Sequence, residues 1–513
     1  MRGKKEKAKV VWFKRDLRVS DHGPLAAVHD FEGLVIPLYL IEPDYWMHPD
    51  SSFKHWEFIR GSLVELRNNL GQLGAPLVVR EGDAISVLTE IARKHQITAI
   101  LAHEETGNGW TYERDLKVER WSQSQGIPLL QFPSNGVIRR LGSRNGWKAK
   151  REARMRGDVY PTPSSIGRAS TLDQGEIPAL PQAMKNQARA ATQLGGRQAA
   201  QQTLDSFLAH RHRGYTKNIS SPLGAETHSS RLSPHLAWGT ISSREIIKAI
   251  DQLGRPSSET GSRVRSRDLA AFQSRLAWRC HFIQKLEDQP SLEFRCMHPS
   301  FEQVRPMDPN PESLEAWREG KTGFPLVDAC MRFLAEKGWI NFRMRAMVTS
   351  FASYNLWMDW RIFGPDLAKL FTDYEPGIHY SQLQMQSGVT GINTWRVYNP
   401  VKQSLDNDSE GKFIRKWVPQ LAKVPMAYIH EPWNMDLTTQ KETNCILGGD
   451  YPKRVVDHLD SSRKAKAKLS QVAKSSGYRE MKKKVLTKHG SRRSPTARKK
   501  PTRQNDQLEL ALS

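Results

Sequence analysis

Residues 34–41 read LVIPLYLI. Eight consecutive apolar residues are too few to cross a bilayer, which takes about 20. They match the length of a strand buried on both faces. Working outward, short apolar runs recur as VVWF at 10–13, PLVV at 76–79, ITAILA at 97–102 and IPLLQF at 127–132. Amphipathic stretches lie between them, such as HWEFIRGSLVELRNNL at 55–70, with apolar residues at three and four spacing. The alternation predicts an α/β domain over 9–132 built on a doubly wound parallel sheet. Such sheets take ligands beyond the C-terminal strand edge. No GxGxxG follows the first run, so a dinucleotide is not indicated there.

Beyond the sheet the pattern changes. Residues 133–200 are rich in Pro, Gly, Ser and Gln, which predicts a connector with one helix. Residues 201–460 are helical in pattern and rich in tryptophan, so a second, larger, all-α domain is expected. Residues 461–513 hold 16 Lys+Arg and 3 Asp+Glu with almost no aromatics, and read as a disordered basic tail. That tail carries +13 of the net +23. A basic body with a more basic end points to a polyanion, most simply nucleic acid, or to solubility alone. Four widely spaced cysteines, Cys280, Cys296, Cys330 and Cys445, offer no metal spacing and read as reduced cytosolic thiols. The start, MRGKKEKAK, lacks the apolar core of a secretory signal. A cytoplasmic protein without membrane partner or metal is expected, most simply a monomer.

Beside the polar stretch at 372–388, four stretches of the second domain carry chemistry. In SSRLSPHLAWGTIS (229–242), hydroxyls and Arg231 precede a proline that opens a helix, which suits a phosphate or simply a capped helix. In LAWRCHF (276–282), Trp278 and Arg279 interrupt an apolar helix. In GWINFRMRAMVTSF (338–351), Arg343 and Arg345 lie two apart and so face different sides. The inward one needs an acid, for which TDYEPGIHYSQLQMQSG (372–388) supplies Asp373. That last stretch shows no helical or strand stripe and is polar, although aromatic helices precede it and WRVY follows. The fourth is WRVYNPVKQ at 395–403.

Taken in order with VVWFKRDLRVSDHGPL, EAWREGKTGFPLVDACMRFLAEKGWIN, MDWR and GKFIRKWVPQL, these motifs resemble the DNA photolyase/cryptochrome family over about residues 9–430. The resemblance implies an antenna domain joined to a helical domain holding FAD; it leaves a second antenna chromophore open, since the residues at 103–115 match no chromophore site that can be transferred. It places Tyr215, Ser229, Ser230, Arg231, Leu232 and Ser233 along the cofactor's phosphates. It places Arg345, Asp373, Tyr374, Glu375 and His379 around the flavin ring, with His379 opposite N5. For UV-damaged DNA, single- or double-stranded, it implies Trp278 as the stacking and catalytic aromatic, with Arg275, Arg279, Arg343 and Gln403 as contacts. Light-excited FADH⁻ would then pass an electron to a flipped dimer. Trp360 is the one aligned member of the usual tryptophan chain for photoreduction.

Departures from the pattern keep two functions open. Arg275 stands where cyclobutane photolyases have glutamate, Ala346 where they have methionine and Phe342 where they have asparagine. Leu383 and Met307 replace two chain tryptophans, with Tyr380, Trp357 and Trp395 nearby. The (6-4) enzymes carry histidines at the positions of Asn341 and Ala346, so cyclobutane dimers rank first. The close cysteine pair of the iron–sulfur branch is missing. Light-driven repair, of deoxyribodipyrimidine photo-lyase type, is the first reading; a cryptochrome-like photoreceptor is the alternative. The last residues, QLELALS, resemble a sliding-clamp peptide.

Overall fold

The computed structural model describes residues 5–184, 193–253 and 266–490. Five strands form the main run of a six-stranded parallel sheet: β1 (Lys7–Phe13), β2 (Leu34–Ile41), β3 (Val78–Glu81), β4 (Gln96–His103) and β5 (Leu129–Phe132), in the order β3-β2-β1-β4-β5. The order reverses at β1, as a doubly wound sheet requires. All eight residues of β2 are buried, which is why that run shows no polar alternation. Val11, Phe13, Val35 and Tyr39 face Phe58, Leu63 and Leu66 of the helix Phe53–Gln72. Val10, Trp12, Ile36 and Leu38 face the opposite side, with Leu88 and Val118. Pro37 cannot donate to a ladder. It falls between two partners of β2: a short parallel strand β6 (Arg168–Ala169) pairs Leu34 and Val35, and β3 pairs from Leu38 onward.

The expected connector thus returns to the sheet, and it also holds the helix Trp147–Arg156. Its Trp147 Nε1 donates to Gln284 at 2.9 Å, on the long helix Arg267–Asp288 of the second domain. That domain is helical, around a core that includes Trp317, Phe351, Trp360 and Phe363.

Two expectations need correction. The polar stretch at 372–388 contains the helix Pro376–Gln386, with Pro376 in its first turn. It shows no stripe because the chain surrounds it: Gln384, Ser381 and Glu375 all find partners inside the fold. Gly377 lets it approach the helix Arg267–Asp288, since a Cβ there would meet Ile283 Cα at 2.6 Å.

Nor is the basic tail disordered from 461. The helices His458–Ala473 and Tyr478–His489 fold onto the body. Asp457 caps the first by accepting from Leu459 and Asp460 N–H. Ala465 and Leu469 enter the main core, and Tyr478 stacks on His298 with ring centroids 4.3 Å apart. Residues 491–513, with the QLELALS stretch, lie outside the described residues.

The two domains meet at a buried carboxylate. Asp50, just beyond β2, accepts from Tyr374 Oη at 2.5 Å, Asn108 Nδ2 at 3.0 Å and His48 Nδ1 at 2.7 Å. Burial alone would raise its pKa; the His48 bond, with Tyr374 and Asn108, outweighs this and holds it at about 2. A depressed carboxylate stabilises the fold above its ordinary pKa of 3.8 and loses that contribution as pH falls towards 2. The depression corresponds to about 2 kcal/mol. Asp50→Asn is therefore expected to be less stable than wild type near neutral pH, with the gap narrowing between pH 4 and 2. Urea unfolding across that range reads it, and a pH-independent gap would remove the charge from the account.

Leu469→Ala should cost about 2–5 kcal/mol. Unchanged thermal unfolding would mean that the C-terminal helices are not docked.

Candidate functional site

Four segments enclose a cavity of about 280 Å³ in the helical domain. They are residues 229–233, the helix Arg267–Asp288, the helix Phe342–Ser350 and the segment 371–386. Of the residues singled out from the sequence, Tyr215, Ser229, Ser230, Arg231, Ser233, Arg275, Trp278, Arg279, Arg343, Arg345, Asp373, Tyr374, Glu375 and His379 line it. Leu232, Trp360 and Gln403 do not. Leu232 packs in a separate apolar cluster with Tyr215, and Trp360 is core. Gln403 sits half-buried on the helix Pro400–Asn407.

One end of the cavity is short of negative charge. Arg231 has a left-handed backbone, φ 57°, a conformation held only where surrounding structure imposes it. Arg211 imposes it in part, donating to the carbonyls of Ser229 and Ser230. The Arg231 guanidinium lies over the Trp339 ring at 4.0 Å and makes no ion pair among the described residues. Burial lowers its pKa to about 10. Ser229 Oγ beside it is buried without a partner. The helix that follows, Ser233–Ala237, has only five residues, so the cation rather than a helix dipole makes this end attractive to an anion.

The other end is balanced. Arg345 Nη2 donates to both oxygens of Asp373, at 3.0 and 2.7 Å, and its Nε to Ile340 O at 2.8 Å. The inward arginine of the pair is therefore Arg345. Glu375 is paired with Arg279, which also donates to Leu236 O. Arg279 is thus ion-paired through Nη2, with its side chain 12% exposed. Tyr374 presents only its ring, because its hydroxyl is spent on Asp50. His379 Nε2 donates to Gly364 O at 2.9 Å, and burial lowers its pKa to about 4. The ring is neutral, with the lone pair on Nδ1.

At the rim, Trp278 is 7% exposed and its Nε1 has no partner. Arg275 lies over its ring at 4.0 Å, and Phe342 meets it edge-on. Arg343 lies against Tyr398. Sequence reasoning missed Trp339 and Gln382. Both side-chain atoms of Gln382, and Asn341 Oδ1, are buried against the cavity without partners. Position in the quoted polar stretch was the one signal for Gln382.

Outside the cavity, Asp16, His22 and His103 are buried together. His22 Nδ1 accepts from Leu25 N–H, so its Nε2 carries the proton and donates to Asp16. That arrangement is a hydrogen-bonded cluster, with the His22 lone pair turned away from a shared ion.

Residues 9–145 match the family model described as DNA photolyase, and residues 272–471 match the FAD binding domain of DNA photolyase. The chain is 27% identical over 490 residues to a deoxyribodipyrimidine photo-lyase of Alkalihalophilus pseudofirmus, covering 90% of this chain and 98% of that one. It is 28% identical over 482 residues to a cryptochrome DASH of Gloeobacter violaceus, covering 89% and 94%. Its fold matches the crystal structure of a bacterial class III photolyase from Agrobacterium tumefaciens with a TM-score of 0.76 at 25% identity, covering 92% and 99%. The chain belongs to the DNA photolyase/cryptochrome family, and its helical domain is an FAD-binding domain.

The cavity fits that cofactor. An unpaired Arg231 with the free Ser229 hydroxyl suits a pyrophosphate. The unpartnered groups of Gln382 and Asn341, with the Arg345–Asp373 pair, offer donors and acceptors to a flavin's polar edge.

Arg231→Gly separates cofactor binding from stability. It removes a strained backbone and a desolvated cation, so the apoprotein should melt no lower than wild type. It also removes a charge-assisted bond worth about 1.5–3 kcal/mol, so FAD affinity should fall at least tenfold. Full FAD retention measured by equilibrium dialysis would exclude Arg231 from the phosphates.

Proposed function

We propose that the protein is a light-driven DNA repair enzyme of the deoxyribodipyrimidine photo-lyase type. The observation that carries this reading is Trp278: an aromatic ring with an unpartnered N–H, in the wall of the FAD cavity. A base taken out of a duplex can stack there, close to the cofactor, for about 1–3 kcal/mol. Bound FAD, in its reduced form, would supply the photo-excited electron that opens a pyrimidine dimer. The chain's own residues position and charge-balance. Arg345 sets a cation beside Asp373, His379 stays neutral, and Arg343 and Gln403 are assigned to the DNA backbone. Cyclobutane dimers rank above (6-4) products, because Asn341 and Ala346 replace the histidines of the latter enzymes. No helix among the described residues is long and apolar enough to cross a membrane.

For internal photoreduction, charge orders the candidate aromatics. Trp357 lies between Arg305 and Lys468, each 4.6 Å from its ring, and oxidising a ring held between two cations is costly. Trp360 lies beside Tyr380 at 6.3 Å, and Tyr380 lies 5.2 Å from His379. Arg361 near Trp360 is neutralised by Asp359 and Glu302. The Trp360–Tyr380 route is therefore assigned first.

A photoreceptor that keeps FAD without repair is the second reading. In its favour, Arg275 already covers one face of Trp278. The deciding assay illuminates reduced holoprotein with an oligonucleotide holding one cyclobutane dimer, and separately one (6-4) product. Restoration of the cyclobutane substrate is expected, and failure on both lesions would leave the photoreceptor. Trp278→Ala should retain FAD and lose about tenfold or more in affinity for damaged over undamaged DNA. Equal losses on both would make Trp278 a packing residue.

A further inference from the structure

Residues 458–490 hold ten Lys or Arg and two acids. Both acids are already engaged: Asp460 by Arg463 and Lys464, Glu480 by Lys484. Lys466, Lys474, Arg479, Lys482 and Lys483 are exposed and make no ion pair among the described residues. A disordered arm could carry such charge loosely. Here the charge is fixed on two docked helices.

The docking places them relative to the cavity. Val485 packs with Leu286, Leu292, Met297 and Ile392, and His489 Nε2 bonds Gln289 Oε1 at 2.9 Å, just past the end of the helix Arg267–Asp288. Trp278 lies on that same helix, eight residues before Leu286. Helical rise puts the contact about 12 Å from the rim aromatic. A second link runs through the segment 391–398. Ile392 touches the C-terminal helix, Arg396 is exposed, and Tyr398 lies against Arg343 at the rim. Cations therefore continue from the rim out to the helix pair.

We infer that the C-terminal helix pair is a platform for the phosphates of duplex DNA flanking the base presented to the cavity. The inference rests on the DNA reading proposed above and extends it to residues outside the cavity. At about 3.4 Å per base-pair step, 12 Å is three to four steps along the duplex. Regularly spaced phosphates suit cations carried at fixed intervals on helices, and the small number of acids leaves the attraction unopposed.

The test uses the full chain with FAD bound, and a variant combining Arg479→Gln, Lys482→Gln and Lys483→Gln, all at exposed positions. Two probes are titrated across salt: a duplex of about 20 base pairs with a central cyclobutane dimer, and a dimer oligonucleotide trimmed to about two nucleotides on each side. On the long duplex the slope of log affinity against log salt should fall by about 2–3, at about 0.9 for each phosphate no longer neutralised. Affinity for the trimmed probe should stay within twofold. A second variant, Lys466→Gln with Lys474→Gln on the neighbouring helix, should lower the slope by up to about 2. An unchanged slope in both variants overturns the platform, as does an equal loss on both probes. Tighter, platform-dependent binding of single-stranded RNA than of duplex DNA overturns the choice of partner. A holoprotein that binds neither DNA probe overturns the repair reading itself, which keeps the two failures apart.

Discussion

The carboxylate of Asp50 fixes the cofactor cavity from behind. It belongs to the sheet domain, yet its strongest neutral donor is Tyr374 of the helical domain, and Tyr380 reaches the same oxygen at 3.4 Å. Arg15, following β1, reinforces the junction by donating to Tyr374 O and Ala237 O while lying over the Trp238 ring at 4.1 Å. The segment that carries Asp373, Glu375 and His379 is thereby held at several points by groups outside its own domain. A buried hydrogen-bonded charge tolerates little displacement, because each broken bond leaves a desolvated partner. Rigidity at Asp50 is thus passed to the side chains that face the cavity.

Charge accounting then separates three of the five arginines that line the cavity. Arg345 and Arg279 each have a carboxylate, so their positive charge is already offset within the protein. Arg231 has an aromatic ring and, among the described residues, no carboxylate within ion-pair distance, with Asp373 and Glu226 acting on it only from farther away. A buried cation left in that state favours any ligand that brings negative charge, and its left-handed backbone adds strain that binding can justify. The neutral His379 adds no further positive charge to the balanced end. One end of the cavity therefore selects for an anion, and the other for a polar, near-neutral edge.

The sheet was legible because the apolar part of each strand is a short run bounded by turn residues, and burial of the central strands needs nothing more, whereas β5 at the edge keeps no residue fully buried. The limits of β1 were not, since Lys7 and Lys9 extend it by their backbones while their side chains leave the core. The helix Pro376–Gln386 escaped pattern reading for the opposite reason. It is enclosed on all sides, so polar residues appear around its whole circumference and no moment survives. The C-terminal helices were hidden by charge. Ala465, Leu469 and Val472 do form an apolar stripe at four and three spacing, but lysines on every other face outweigh it in any composition-based view. In the cavity, side chains that act through charge or aromatic faces were recognised by motif. Trp339 and Gln382 were not, because their roles depend on the path of a neighbouring loop rather than on local sequence.

On the repair reading, the departures from the cyclobutane photolyase pattern gather around Trp278. Arg275 stacks on Trp278 within a partly desolvated site, and burial lowers its pKa. Such a contact is worth up to about 2 kcal/mol. A base stacking on the same ring gains about 1–3 kcal/mol, against which a displaced Arg275 gives up both the ring and its hydrogen bond to Tyr215. The exchange becomes favourable if the displaced guanidinium finds a phosphate, where a charge-assisted and bidentate bond is available. It stays unfavourable if the guanidinium has only water. On the repair reading proposed above, entry of a base would then depend on a nucleic-acid backbone that can receive Arg275, a condition a glutamate at that position would not set. A free nucleobase would not meet that condition, whereas a base carried on a polynucleotide would.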